Sequence, residues 1–201
     1  NTLAVECIAA PGAALMPRVP GLADDLFRSD GTMTKRELRA VTLAKLMPMR
    51  GALLWDIGCG SGSVAIEWMR AARYARAIGI EPRADRRAMA ADNAQALGAP
   101  GLQLIEGEAP DALADLPAPD AVFIGGGLSP AAFAAAWGAL RPLGRLVINA
   151  VTLDSERQLL DLYKAQGGEL VRISVDRASP LGGLTGMKPQ MLVTQWSLIK
   201  R

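Results

Sequence analysis

Three glycines at alternate positions, Gly58, Gly60 and Gly62, follow the apolar run Leu53-Leu54-Trp55-Asp56-Ile57 and lead into a stretch with helical character. A backbone that must turn tightly and let a ligand come within van der Waals contact needs glycine, since any Cβ would intrude. The helix behind such a turn offers unpaired N–H groups and a partial positive charge, which suit a carboxylate or a phosphate. A dinucleotide site would carry its third glycine at position 63, where Ser63 stands instead. By themselves the three glycines describe an ordinary strand-to-helix turn just as well.

The acidic residues around the turn sharpen it. Glu81 ends the next apolar run, 19 residues after Gly62, where a carboxylate can accept hydrogen bonds from both hydroxyls of a ribose. Asp56 stands just before the glycine turn and can steer an ammonium group, directly or through water. Glu108, in Glu-Gly-Glu-Ala-Pro (106–110), follows the third run and can meet the amino group of adenine; a surface turn is the alternative there. Ligands of open α/β sheets bind outside the carboxyl ends of the strands, which is where all four features fall. This combination predicts S-adenosylmethionine as cofactor. Methyl transfer from a sulfonium is a direct displacement that depends on alignment more than on a strong acid or base.

Two further features bear on a substrate. Gly125-Gly126-Gly127 follows the fourth apolar run and leaves room for a bulky molecule; a flexible turn is the bland reading. Methyltransferases of nucleobase amino groups commonly carry Asn/Asp-Pro-Pro-aromatic at that point, and this chain does not. Arg177 and Lys188 flank a Gly/Pro-rich loop, 178–187, of the kind that often serves as a lid. With Lys35 and Arg36 they would suit a substrate rich in carboxylates, although most surface Lys and Arg are merely solvated.

Composition narrows the field. The chain has no histidine, which removes Ser-His-Asp triads, Cys-His dyads and the common zinc sets. No metal site and no catalytic acid or base is assigned. With 22 basic and 20 acidic residues the net charge is +2, too weak to suggest a nucleic-acid partner. Cys7 and Cys59 are the two cysteines, which speaks against a disulfide framework and for a reducing cytoplasm. No apolar run approaches the ~20 residues of a membrane span.

These residues must be held by an alternation of strands and helices. Thr34 and Glu37 have capping-box spacing, so the first helix is expected to start at Thr34 and to stop before Pro48. Strands at 53–57, 77–81, 102–106, 120–124 and 145–150 alternate with helices at 62–73, 83–97, near 110–115, 130–140 and 153–166. Such alternation predicts a parallel sheet covered on both faces. Strands 169–176 and 191–199, joined without a helix, should close it as an antiparallel hairpin. The expected fold is α/β, the class I methyltransferase (Rossmann-like) layout with a seven-stranded, mostly parallel sheet. The domain is expected to span 21–201. Residues 1–20 read as a strand and linker left from a preceding domain, or as a processed terminus or an edge strand of this one.

Asp30–Glu37 (Asp-Gly-Thr-Met-Thr-Lys-Arg-Glu), Trp55–Ser63, Glu106–Leu113 and Phe123–Gly127 together resemble the decarboxylating precorrin methyltransferases of cobalamin biosynthesis, over residues 20–199. Thr34, Ser63 and Ala109, inside or beside these segments, join Asp56, Gly58, Gly60, Gly62, Glu81 and Glu108 as expected cofactor contacts. The resemblance implies methylation of carbon 15 of a polycarboxylate tetrapyrrole with loss of the ring C acetate as carbon dioxide. It also implies a homotetramer and an N-terminal methylase domain in the full-length chain. The competing readings are a methyltransferase of RNA or protein, an NAD-binding oxidoreductase, and a cofactor-binding domain without chemistry of its own.

Overall fold

The computed structural model describes residues 1–13 and 16–201. Seven strands form one sheet in the order β3-β2-β1-β4-β5-β9-β6, and two more, β7 and β8, form a separate ribbon. The first five, β1 (Leu53–Ile57), β2 (Arg76–Ile80), β3 (Gln103–Ile105), β4 (Ala121–Ile124) and β5 (Arg145–Ala150), pair in parallel. The last, β9 (Val193–Ile199), runs antiparallel between β5 and β6 (Glu169–Ile173). The expected sheet and its closing antiparallel pair are both present.

Side chains alternate along each strand, so each strand feeds two cores. Leu53, Trp55 and Ile57 pack with Phe133 and Ala136 of α4 (Pro130–Ala139) and Leu159 of α5 (Leu153–Gln166). Leu54, Phe123 and Val147 face the other way, against Leu43 and Leu46 of α1 (Arg36–Leu46) and Val64, Ala65 and Trp68 of α2 (Ser63–Ala71). β1 is buried at all five positions, as a central parallel strand covered on both faces must be. A third cluster joins Leu22, Phe27 and Met33 of the N-terminal segment to Ile66 of α2 and to Ala94 at the end of α3 (Ala84–Ala96).

The helix ends show local chemistry. Ser129 accepts from the Ala132 N–H at 3.1 Å with Pro130 behind it, and Thr152 accepts from the Ser155 N–H at 3.2 Å, which satisfies donors that the helix itself leaves free. The Lys200 ammonium donates to the carbonyls of Trp137, Gly138 and Leu140 at the far end of α4, where a cation also meets the negative end of the helix dipole.

Four expectations need correction. The Thr34–Glu37 capping box does not form: α1 begins at Arg36 with no side-chain cap. The Glu37 carboxylate pairs instead with Arg177, and the Thr34 carbonyl accepts from Arg39. The Gly/Pro-rich stretch expected as an open loop is the ribbon of β7 (Asp176–Leu181) and β8 (Leu184–Pro189), turning at Gly182-Gly183. Glycine at a two-residue turn tolerates the positive φ that a tight hairpin requires (Gly182 φ +59°), and the prolines are tolerated because both strands are edges. The short helix near 110–115 is a single 3-10 turn, Asp111–Leu113. Residues 1–13 and 16–20 form no strand and are mostly exposed; the linker reading also covers Ala14 and Leu15, which lie outside the described residues.

One buried ion pair fastens the N-terminal segment to the sheet's helices. Arg39 of α1 and Glu67 of α2 are essentially inaccessible to solvent. Glu67 also accepts the N–H groups of Gly21 and Leu22, the latter at 3.0 Å, and Arg39 donates to the Leu22 and Thr34 carbonyls and to Asp24. Every charge and every polar atom of the pair is occupied, the condition under which a buried pair is tolerated. Replacing Glu67 by Ala leaves the buried Arg39 with Asp24 as its one remaining carboxylate, strands the Gly21 and Leu22 N–H groups and should cost about 3–5 kcal/mol, read as a lower denaturation midpoint in urea.

Candidate functional site

A cavity of about 450 Å³ opens at the carboxyl ends of β1, β2 and β4, lined by the glycine turn, by Asp56, Glu81, Glu108 and Ala109, and by the 32–34 and 125–127 loops. Its wall at the turn is bare backbone. Gly58 has φ +72°, and a Cβ there would lie 2.8 Å from the backbone of Gly126. Two loops, after β1 and after β4, are thus in direct backbone contact.

The buried Glu81 carboxylate braces the turn: one oxygen accepts from the Gly60 N–H at 3.0 Å and the other from the Arg83 N–H at 3.2 Å. Each oxygen keeps a further lone pair for a ligand. Asp56 accepts the Ala65 N–H at 3.1 Å, so this strand residue caps the first turn of α2 from outside the helix. The Cys59 thiol lies so close to Gly79 that a Cβ on Gly79 would fall 2.5 Å from its sulfur. Burial pushes the Asp56 carboxyl up to about 7, against the opposing hydrogen bonds from Ala65 and Cys59 and with help from the charge of Glu81. The Cys59 thiol is raised well above its ordinary value, chiefly by burial and then by Asp56. It is therefore a packed, protonated group and not a nucleophile.

The roof is the loop Asp30–Thr34. Asp30 accepts from the Thr32 hydroxyl and backbone N–H and pairs with Arg86 of α3, also a lining residue, at 2.7 Å. These bonds hold the Asp30 carboxyl far below the usual carboxylate range, those from Thr32 contributing most. Behind the roof Asn93 accepts from the Arg28 N–H and donates to the carbonyls of Arg28 and Ser61, joining the N-terminal segment to the glycine turn.

A second cavity of about 500 Å³ adjoins the first and shares Thr32, Met33, Thr34, Gly125 and Val151 with it. The rest of its lining includes Lys35 just before α1, Leu38 of α1, Asn149 of β5, and Val175, Gln190, Met191 and Val193 from the chain around the ribbon. Lys35 is its only charged residue.

Of the residues singled out in the sequence, Thr34, Asp56, Gly58, Gly60, Ser63, Glu81, Glu108 and Ala109 all line the first cavity. Gly62 stands just behind as the residue before α2. Gly125, Gly126 and Gly127 form part of the same wall, and Gly125 alone of the three reaches the second cavity. Arg177 and Lys188 line neither cavity; they face each other across the ribbon. The Arg177 guanidinium is taken by Asp24 and Glu37, two carboxylates far away in sequence whose charge neutralises it. Arg36 also stays outside, whereas Lys35 lines the second cavity. The sequence reading missed Met33, Arg86, Val151 and Asn149. Asn149 had a visible signal, an amide in the apolar strand Leu-Val-Ile-Asn-Ala at its carboxyl end.

An acidic, glycine-floored cavity on a sheet of this order defines the class: a domain of class I methyltransferase architecture. The profile of the precorrin methyltransferase domain family matches residues 25–200, and the chain belongs to that family. It is 54% identical over its whole length to a precorrin-6Y C(5,15)-methyltransferase [decarboxylating] from Sinorhizobium sp, covering 49% of that protein. The chain thus spans about half the length of the first curated relatives it matches. A probable cobalt-precorrin-6B C(15)-methyltransferase (decarboxylating) from Pyrobaculum calidifontis is 34% identical, with 89% of this chain covering 96% of it. The solved C-terminal domain of precorrin-6Y C5,15-methyltransferase from Rhodobacter capsulatus is 49% identical, with a TM-score of 0.86 over 92% of this chain and 100% of that one.

The environment of Asp56 has a consequence for stability. A carboxyl that keeps its proton in the folded state up to about 7, against about 3.9 unfolded, loses the folded state stability as pH rises between those values. Asp56→Asn keeps an acceptor for the Ala65 N–H and removes the buried charge. The ligand-free variant should therefore melt higher than the parent at pH 8, with the difference shrinking below pH ~7 and vanishing near ~4, as differential scanning calorimetry across that range would read.

Proposed function

We propose that this domain methylates carbon 15 of a precorrin with S-adenosylmethionine and removes the ring C acetate as carbon dioxide. The observation that carries the reading is the pair of adjoining cavities of opposite character, one acidic and floored by glycine backbone, the other apolar with a single cation.

The residues of the first cavity fit the cofactor. The cradle at Gly58 has no room for a Cβ, the N-terminal N–H groups of α2 suit its carboxylate, and Asp56 faces its ammonium. Glu81 takes the ribose hydroxyls, Glu108 and Ala109 the adenine, and Thr34 and Ser63 complete the wall. When bound, the cofactor supplies an electrophilic methyl group. The chain's own contribution is to align that group with a carbon and to exclude water, which the 30–34 roof and the bare 125–127 wall do from opposite sides.

The second cavity takes the tetrapyrrole, with Gly125 and Val151 at the point where the two ligands meet. Lys35 attracts its carboxylates; Arg177 and Lys188, outside the cavity, lie on the ribbon flanking its approach. The absence of histidine is no obstacle, because the proton count closes without a dedicated base. Methylation of a ring C–H releases one proton, and conversion of an acetate side chain to a methyl group with loss of carbon dioxide consumes one.

The sequence relatives' names include methylation at carbon 5 as well, in chains about twice as long; we assign that step to an N-terminal methylase domain of the full-length chain. A homotetramer fits the ribbon, where Leu181, Leu184 and Met187 are exposed, and the free Cys7 and Cys59 fit a cytoplasmic setting.

Incubation with S-adenosylmethionine and a precorrin should give a product that has gained one methyl group and lost one carbon dioxide, resolved by mass spectrometry; methylation without that loss, or no turnover, overturns the reading. Leu184→Asp places a charge on the exposed ribbon and should convert the tetramer to smaller species in sedimentation velocity, while an unchanged assembly removes the ribbon from the interface.

A further inference from the structure

Asn149 is the polar residue of the second cavity that comes from a central strand of the sheet. Its amide is held from two sides. Nδ2 donates to the Thr42 hydroxyl oxygen at 3.1 Å, and Oδ1 accepts from Nε2 of Gln195 at 2.8 Å. Gln195, directly across the β5–β9 pair, donates to the same Thr42 oxygen at 3.0 Å. Thr42 and Gln195 are fully buried. In this triangle Nδ2 of Asn149 spends one of its two N–H bonds on Thr42, and the second has no partner among the described residues. Gln195 Oε1 is likewise buried without a partner among the described residues. The stranded acceptor is a cost to the fold, since the desolvation of that atom goes uncompensated.

We propose that the free N–H of Asn149 binds the carboxylate that is lost as carbon dioxide, making Asn149 a catalytic residue of the decarboxylation and Thr42 and Gln195 the residues that position it. This rests on the assignment of the second cavity to the tetrapyrrole. The cavity that Asn149 lines also presents the buried Met33, Leu38 and Val193, with Val175 and Met191 at its side, and the three buried side chains strip water from a carboxylate placed against them. Lys35 carries one charge, too little to neutralise a substrate with many carboxylates. A desolvated carboxylate is destabilised, and the destabilisation is relieved as its charge leaves the carboxyl group. A single neutral donor sets its direction without stabilising the charge as a cation would. The bond from the side-chain methylene to the carboxyl carbon then breaks, its electron pair enters the conjugated macrocycle and carbon dioxide departs. The methylene carbon takes up a proton, and the ring carbon that receives the methyl group of the sulfonium gives one up, so atoms and charge balance.

The test uses Asn149→Asp, which keeps an acceptor for Gln195 and turns the free donor into an acceptor, beside Asn149→Leu, which removes the donor without adding charge. With a precorrin and S-adenosylmethionine, both variants should release carbon dioxide roughly tenfold to hundredfold more slowly at pH 8, the size of one hydrogen bond to a charged group. Cofactor affinity by calorimetry should match the parent. The Asp variant should regain rate as pH falls and its new carboxyl takes a proton it can donate; the Leu variant should not. Undiminished release in either variant, or a fall in cofactor affinity as large as the fall in rate, overturns the proposal while the parent's turnover leaves the functional reading standing. A parent that releases no carbon dioxide overturns both.

Discussion

Both cavities depend on one desolvated ion pair. Arg39 and Glu67 belong to α1 and α2, which pack against one face of the sheet, and the pair could not stay buried without the further partners it recruits. Those partners are backbone groups of the N-terminal segment: the N–H groups of Gly21 and Leu22 and the carbonyls of Leu22 and Thr34. Satisfying the pair and docking the segment are therefore a single event. That event delivers Thr32, Met33 and Thr34 to the place where they roof both cavities. Asp24 extends the linkage, since it bonds to Arg39 on one side and Arg177 of the ribbon on the other. The ribbon's base and the roof of the two cavities thus share an anchor, although neither is adjacent to the other in sequence.

Asp56 shows the opposite balance, a residue whose placement works against stability. It caps α2, which favours an ionised carboxylate, yet burial beside Glu81 pushes its proton affinity up to about 7. Desolvation outweighs the hydrogen bonds. A cation brought into the cavity would supply the charge that the fold withholds, so the folded protein carries an electrostatic deficit that ligand binding relieves. Sites that hold cations are commonly built this way, with the strain stored in the empty protein and released on binding.

Local signals were enough for the sheet and for the glycine turn and carboxylates of the first cavity. Strand β5 and helix α5 lie where composition and turn residues place them, because a continuous apolar run and a capped amphipathic stretch each point to one structure. Gly58, Asp56 and Glu81 were legible because a motif fixes them relative to strand ends. The ribbon was not. Pro180, Gly182, Gly183, Gly186 and Pro189 read as loop residues, and only the pairing of two edge strands makes them compatible with a hairpin. Arg177 was misplaced for a related reason: its partners Asp24 and Glu37 are 153 and 140 residues away, and no local pattern announces an ion pair formed by tertiary packing. Thr34 failed as a helix cap on the same account, since Arg177 took its capping-box partner and Arg39 its carbonyl.

The two cavities also divide incompatible demands. A sulfonium cofactor carrying an ammonium needs carboxylates and backbone dipoles nearby, whereas a carboxylate about to lose carbon dioxide is favoured by their absence. On the proposed reading the chain meets both by giving each cavity its own strand ends. Asp56 and Glu81 stand at β1 and next to β2, while the second cavity draws on β5, β9 and the segments flanking the ribbon. Where the two meet, the wall is Gly125, Val151 and Met33 with the Thr32 and Thr34 hydroxyls, side chains without charge. The charge pattern therefore changes across the width of a few residues, and under the proposed function the methyl group would cross only that neutral boundary. The order of strands in the sheet, which places β4 and its glycines between β1 and β5, is what puts the boundary there.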